Sequence, residues 1–172
     1  AASGTLVLGV CGGYQMLGSA IHDPQGVEHG TPGSVRGLGL LPIETTFLPE
    51  KSRTRVQATV TAGPLAGARL DGYEIHMGRT EVKGRPFCVL DSGQPDGCAL
   101  GAVWGTYLHG LFDSGELVQQ LAALLCQRKG LTVETAQAMS HAAYQQTQLD
   151  LLAAGVREAL DMEQIYRMME DS

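Results

Sequence analysis

The spacing of apolar residues changes along this chain and gives its first outline. Residues 5–10 (TLVLGV) form a short, partly β-branched apolar run of the kind that makes a buried strand, and Tyr14, Met16, Leu17 and Ile21 then read as the start of a helix. Residues 38–47 and 53–61 have strand composition. In the second, Arg55, Gln57 and Thr59 alternate with Val56, Ala58 and Val60, which predicts one buried face. Residues 73–82, 87–90 and 100–108 predict further strands, while the Gly- and Pro-bearing stretches 22–37, 63–72 and 91–97 read as loops or turns. From Ser114 onward the period is helical: Asp113 and Glu116 mark a start, Leu117, Leu121, Leu124 and Leu125 keep one face apolar, and Gly130 ends that helix. Two more helical regions follow at about 134–144 and 148–169, the latter carrying Leu149, Leu152, Val156 and Leu160. Strands first and helices late, with no internal repeat, predict an α/β fold: a mixed, largely parallel sheet with flanking helices, in one domain over 1–172.

Composition narrows the partners. A net charge of −6 over 172 residues argues against nucleic acid or an anionic membrane as a partner. No run approaches the ~18 apolar residues of a membrane span, and the first residues lack a basic-then-apolar leader, so a cytoplasmic location is expected. The four cysteines, Cys11, Cys88, Cys98 and Cys126, are widely spaced with no C-x-x-C pair, so neither a metal site nor a disulfide framework is expected. The sequence contains no asparagine, which excludes a Cys-His-Asn arrangement.

Chemistry concentrates at 9–18 (GVCGGYQMLG). Strand, Gly-x-Cys-x-Gly, helix is a cysteine version of the nucleophile elbow: glycines permit the sharp turn, and the helix N-terminus favours an anionic sulfur. The Gly12 N–H is then placed to donate to an oxyanion formed at an attacked carbonyl. A matching base should be a histidine at another strand end. His109 closes an apolar strand and precedes a glycine, whereas His22 and His29 fall in a polar loop and His141 on the late helices. Glu74 and His76 alternate with Ile75 and Met77 and so share a strand face, either as a satisfied polar pair or as the wall of a pocket ending at Gly78.

Three ordered motifs, GVCGGYQMLG (9–18), GYEIHMG (72–78) and GTYLHGLF (105–112), together resemble the class I, triad-type glutamine amidotransferase domain found at the C-terminal end of cobyric acid synthases. The stretches at 37–47 and 151–166 also resemble that family, so the likeness covers nearly the whole chain. It implies a flavodoxin-like fold and a glutaminase in which Cys11 attacks L-glutamine to form a γ-glutamyl thioester, with His109 as general base. Gln15 would contact the glutamine, and Gly12, Glu74, His76 and Gly78 would belong to the substrate site. The ammonia would amidate corrin carboxylates, converting adenosylcobyrinic acid a,c-diamide to cobyric acid in cobalamin biosynthesis, with ATP and Mg2+ acting in a separate synthetase domain. No cofactor is expected in these residues themselves, since they contain no Gly-x-x-x-x-Gly-Lys-Ser/Thr sequence.

Departures from the class pattern qualify this reading. Most class I glutaminases carry glutamate two residues after the histidine, where Leu111 stands here, so a Cys-His dyad is expected. Asp113, which reads as a helix cap, and Glu74 are the other candidates to orient His109. The resemblance also implies elements before the nucleophile strand, including a glycine-bearing loop that supplies a second oxyanion donor. The chain begins ten residues before Cys11, so N-terminal truncation and little ammonia release by these 172 residues alone are expected. Alternative readings are a glutaminase subunit amidating a cell-wall lipid precursor, or a domain that keeps the fold without the activity.

Overall fold

The computed structural model describes residues 4–28, 30–113, 115–131 and 141–170. The chain divides into two compact units, Ala1–Ala138 and Met139–Ser172. The first holds ten strands among its described residues, in two sheets. In the smaller sheet, β1 (Val7–Val10) lies parallel to β9 (Val103–Thr106), which pairs on its other side with antiparallel β8 (Cys98–Leu100). The larger sheet is built on a long hairpin of β4 (Ile43–Val60) and β5 (Arg69–Val82). On one side of it stand β2 (Ala20–Asp23) and β3 (Gly33–Arg36), and on the other β10 (Leu108–His109), while β6 (Cys88–Leu90) and β7 (Pro95–Asp96) branch from β4.

The sheets are mixed, with helices beside them, as the sequence predicts, but they are not largely parallel. Among the described residues only β1–β9 and β2–β4 pair in parallel, and the other six strand pairings are antiparallel. The longest antiparallel pair, β4–β5, arises from a short return, a 3-10 turn at Gly63–Leu65 followed by Gly67 at φ 95°, which sends the chain straight back along its neighbour. Between Thr46 and Lys51 the register slips, and Gly78 faces the slip at φ 99°, where a Cβ would stand 2.4 Å from the Thr46 carbonyl oxygen.

Other boundaries also differ from the pattern-based expectation. The helix after Cys11, α1 (Gly12–Met16), spans only five residues, and Ile21 lies in β2. The stretch 22–37, expected as loop, contains the β2–β3 hairpin, whose turn is held by the buried Asp23 carboxylate accepting the N–H groups of Val27 and Glu28 at 2.7 and 2.9 Å. Residues 38–47 and 53–61 contribute to one strand rather than two. Finally, 100–108 is not one strand: Gly101, at φ 57°, turns β8 into β9, and the chain changes sheets at Tyr107.

Alternate residues of β9 and its extension serve two cores. Trp104 and Leu108 pack with Val60, Leu70, Phe87 and Leu117, whereas Val103 and Tyr107 pack with Tyr14, Leu17, Leu41 and Ile43. The helix α2 (Gly115–Arg128) places Leu117 in the first core and ends in a Schellman pattern, with the Leu131 N–H donating to the Cys126 carbonyl, the Gly130 N–H to Gln127, and Gly130 at φ 67°.

In the second unit, α3 (His141–Ala159) gives way to α4 (Met162–Glu170) at Asp161, whose carboxylate caps the new helix by accepting the Gln164 N–H at 3.0 Å. The expected helix at 134–144 falls mostly on 132–140, which lie outside the described residues. Among the described residues no helix is long and apolar enough to cross a membrane.

The two parallel strands admit α1 only because their facing residues lack side chains. A Cβ on Gly105 would stand 2.2 Å from the Tyr14 ring, and one on Gly9 would stand 2.6 Å from Leu17 and 2.7 Å from the Gly13 carbonyl oxygen. Gly105→Ala is therefore expected to lower stability by about 1–3 kcal/mol through overpacking, whereas Gly33→Ala, where a Cβ meets open space, should change it by less than about 0.5 kcal/mol. Urea titration of both variants checks this, with a shifted midpoint and an unchanged slope as the expected signature for Gly105→Ala.

Candidate active site

Cys11 occupies the residue between β1 and α1 and is the one described non-glycine residue with positive φ, at φ 53° and ψ −114°. Its N–H continues the parallel ladder to the Thr106 carbonyl at 2.9 Å, and its carbonyl accepts the Gln15 N–H at 3.1 Å. The residue thus finishes a strand and starts a helix at once, and the half-buried Sγ reaches the backbone of β5, where the thiol donates to the Ile75 carbonyl at 3.3 Å. Gly12 opens α1, with open space where its side chain would be.

His109 ends β10, where it pairs with Tyr73 of β5 and stacks on the Tyr73 ring at 5.1 Å with the planes nearly parallel. Two glycines permit this approach. A Cβ on Gly72 would lie 2.2 Å from the His109 carbonyl oxygen, and Gly110 turns away at φ 79°. The His109 Nε2 is buried and has no hydrogen-bond partner among the described residues. Cys11 and His109 therefore both touch β5, at Ile75 and at Tyr73, two residues and about 7 Å apart along the strand.

The intervening side chain, Glu74, turns to its neighbour on the same face. Its Oε1 lies 2.6 Å from His76 Nε2, and His76 Nδ1 lies 3.1 Å from the Gly78 carbonyl oxygen. Both partners are acceptors, so this geometry is satisfied in full only by the doubly protonated ring, and the Glu74 hydrogen bond raises the His76 pKa above its ordinary value. The Glu74 carboxylate is thus committed to His76, and Asp113 lies in a 3-10 turn (Leu111–Asp113) with its N–H on the Gly110 carbonyl. Leu111 is buried in the core and offers no acceptor.

Tyr107 links these groups, a role that its place in an apolar run does not reveal. Its ring stacks on His76 at 3.9 Å and meets the edge of Tyr14 at 5.1 Å. Its hydroxyl accepts from Gln15 Nε2 at 3.2 Å and bonds closely to Thr80 Oγ1, which in turn bonds Thr45 Oγ1 at 2.7 Å. Gln15 is consequently buried, and its amide is engaged with the protein. A cavity of about 660 Å³ opens beside this cluster, lined by Glu74, His76, Arg79, Asp96 and Tyr107 among others, but not by Cys11 or His109. Of the remaining histidines, His22 bonds Ser34 on the exposed hairpin, His141 is exposed at the start of α3, and His29 lies outside the described residues. Among the described residues no group of three or more His, Cys, Asp or Glu is arranged to hold a metal ion.

The mixed sheets with their helices are consistent with the class I glutamine amidotransferase fold. Residues 1–117 match the CobB/CobQ-like glutamine amidotransferase domain family, and the chain belongs to it. It is similar to the cobyric acid synthase of Ruminiclostridium cellulolyticum, with 41% identity over 99% of this chain and 36% of that protein. A Caulobacter cobyric acid synthase is 46% identical over 96% of this chain and 32% of its own length, and that of Moorella thermoacetica is 38% identical over 98% and 35%. The chain thus spans about a third of the length of the relatives it matches.

The His76–Glu74 pair gives the site a measurable pH signature. Because the folded-state pKa of His76 is raised, the pair's contribution to stability is fully present below the unfolded value of about 6.5 and is lost as pH rises through the folded value. Denaturant titrations of wild type and Glu74→Gln are expected to show a larger stability gap at pH about 5.5 than at pH about 9.

Proposed function

We propose that the chain is the glutaminase part of a glutamine-dependent amidoligase of cobalamin biosynthesis. In this reading the ammonia released from L-glutamine amidates corrin carboxylates, on the way from adenosylcobyrinic acid a,c-diamide to cobyric acid. The observation that carries the chemistry is the backbone of Cys11, whose positive φ no other described non-glycine residue shares: a strained turn that lifts one thiol out of the end of a strand. Names of relatives support the acceptor, and they do not favour a cell-wall lipid precursor.

The chemistry follows from the groups at hand. The Cys11 sulfur forms a bond to the side-chain carbonyl carbon of glutamine while His109 accepts the thiol proton, and the carbonyl oxygen becomes an oxyanion within reach of the Gly12 N–H. Collapse of the intermediate breaks the carbon–nitrogen bond, and His109 returns the proton to the departing ammonia. Water then attacks the γ-glutamyl thioester, with His109 taking its proton, and glutamate leaves as the Cys11 thiol is restored. A buried, unpartnered Nε2 on His109 suits this work, since a ring nitrogen already bonded within the protein would be unavailable. ATP and Mg2+ belong to the amidation step. The residues present do not fit them, having neither a phosphate-binding Gly-x-x-x-x-Gly-Lys-Ser/Thr sequence nor, among those described, a cluster that could hold a metal ion, and no step here runs through them.

In the full-length protein, Cys11→Ser is expected to lower glutaminase kcat by about 10³-fold or more and His109→Ala by about 10²–10⁴-fold, while Cys126→Ser on α2 leaves it unchanged. Coupled measurement of glutamate and ammonia checks all three. Undiminished turnover in Cys11→Ser would remove the basis of this reading.

A further inference from the structure

His109 is carried by a strand only two residues long, at the point where the chain leaves one sheet for the other. Tyr107, between β9 and β10, belongs to neither ladder, so the backbone at this junction needs other partners. Two buried side chains supply them. The Asp96 carboxylate accepts the Thr106 hydroxyl in a close bond and the Tyr107 N–H at 3.3 Å, and Thr106 Oγ1 in turn accepts the Leu108 N–H at 3.1 Å. The peptide that follows carries His109. Asp96 is itself fixed: β7 pairs it with Cys88, the Phe87 N–H donates to its carbonyl at 3.0 Å, and Gly97 at φ 74° presses against β9, where a Cβ would stand 2.1 Å from the Gly105 carbonyl oxygen.

We propose that Asp96 is the positioning residue for His109, acting through the backbone of residues 106–108 rather than on the imidazole ring. The inference rests on the glutaminase reading of Cys11 and His109. Leu111 is apolar and the Glu74 carboxylate is engaged with His76, so neither holds the His109 ring. Orientation is therefore imposed from behind, by pinning the bend from which the histidine emerges. Because the hydroxyl of Tyr107 also receives Gln15 of α1, the same pinned segment ties the base to the helix that follows the nucleophile. Asparagine keeps the shape of Asp96 and an acceptor oxygen for the Thr106 hydroxyl and Tyr107 N–H, and burial, which raises the Asp96 pKa, lessens what is lost with the charge.

The test uses the full-length protein with Asp96→Ala, Asp96→Asn and Thr106→Val, and reads glutaminase kinetics together with the ring signals of His109 in protein labelled with 15N-histidine. Asp96→Ala and Thr106→Val are expected to lower kcat about a hundredfold with KM for glutamine within about threefold of wild type, because a misplaced base harms the reaction more than binding. The double variant should be no worse than either single one, and Asp96→Asn should recover kcat to within about threefold. In the spectra, the His109 signals should move in Asp96→Ala and Thr106→Val and keep their place in Asp96→Asn. Thr106→Val, nearly isosteric, carries the test if Asp96→Ala fails to fold. Wild-type kcat in Thr106→Val, multiplied losses in the double variant, or no recovery in Asp96→Asn would each overturn the proposal. If wild type shows no Cys11-dependent glutaminase, the functional reading fails on its own. The His109 signals then decide the positioning claim, and an unmoved signal in Thr106→Val overturns it.

Discussion

The left-handed backbone of Cys11 is the constraint on which the rest of the site depends. A non-glycine residue at positive φ costs on the order of 1–3 kcal/mol and persists only where its surroundings over-determine it. Here the parallel ladder to Thr106 fixes the residue from one side, and the α1 hydrogen bond from Gln15 fixes it from the other. The buried Tyr14 and Leu17 then anchor α1 in a core that it shares with Val103 and Ile43. Glycine at 9 and 105 is the condition for that packing, since any side chain there would push α1 off the sheet. A strained turn of this kind presents a thiol without a side-chain cage around it, as an attacking sulfur requires.

The second constraint is the departure of the chain from one sheet to the other at Tyr107. Strand β9 pairs with β1, which leads into Cys11, and three residues after its end the same segment delivers His109 to β5. Cys11 and His109, the proposed nucleophile and base, are thus set by the two ends of one short stretch, which limits how far they can drift apart. The polar chain from Thr45 through Thr80 and Tyr107 to Gln15 runs across the junction and satisfies groups that burial would otherwise leave costly.

Much of the site is legible in the sequence, because its signals are local. Glycines around Cys11 announce a sharp turn, and the apolar run before His109 places that residue at a strand end. The Glu74–His76 alternation announces a shared face, and the structure shows a satisfied pair that also borders a cavity, so both sequence readings of it hold. What is not legible depends on distant partners. The run 100–108 looks continuous because nothing within it shows that Asp96 will hold the bend at Tyr107. Gln15 reads as a residue on a helix face, yet it is buried because Tyr107, 92 residues away, accepts its amide. The 22–37 hairpin is hidden by Pro and Gly, and its β2 strand is stabilised by β4 from elsewhere in the chain. The weight of antiparallel pairing follows from short returns such as those at 61–68, between β2 and β3, and at Gly101, which strand composition does not register.

The central claim is that Cys11 forms a covalent γ-glutamyl thioester, and the most direct measurement is to trap it. Full-length protein turning over radiolabelled glutamine would be quenched in acid, digested and mapped. The account predicts label on the peptide containing Cys11, released by hydroxylamine as a thioester should be. Glutamine hydrolysis proceeding with no protein-bound label, or with label on a different peptide, would contradict it.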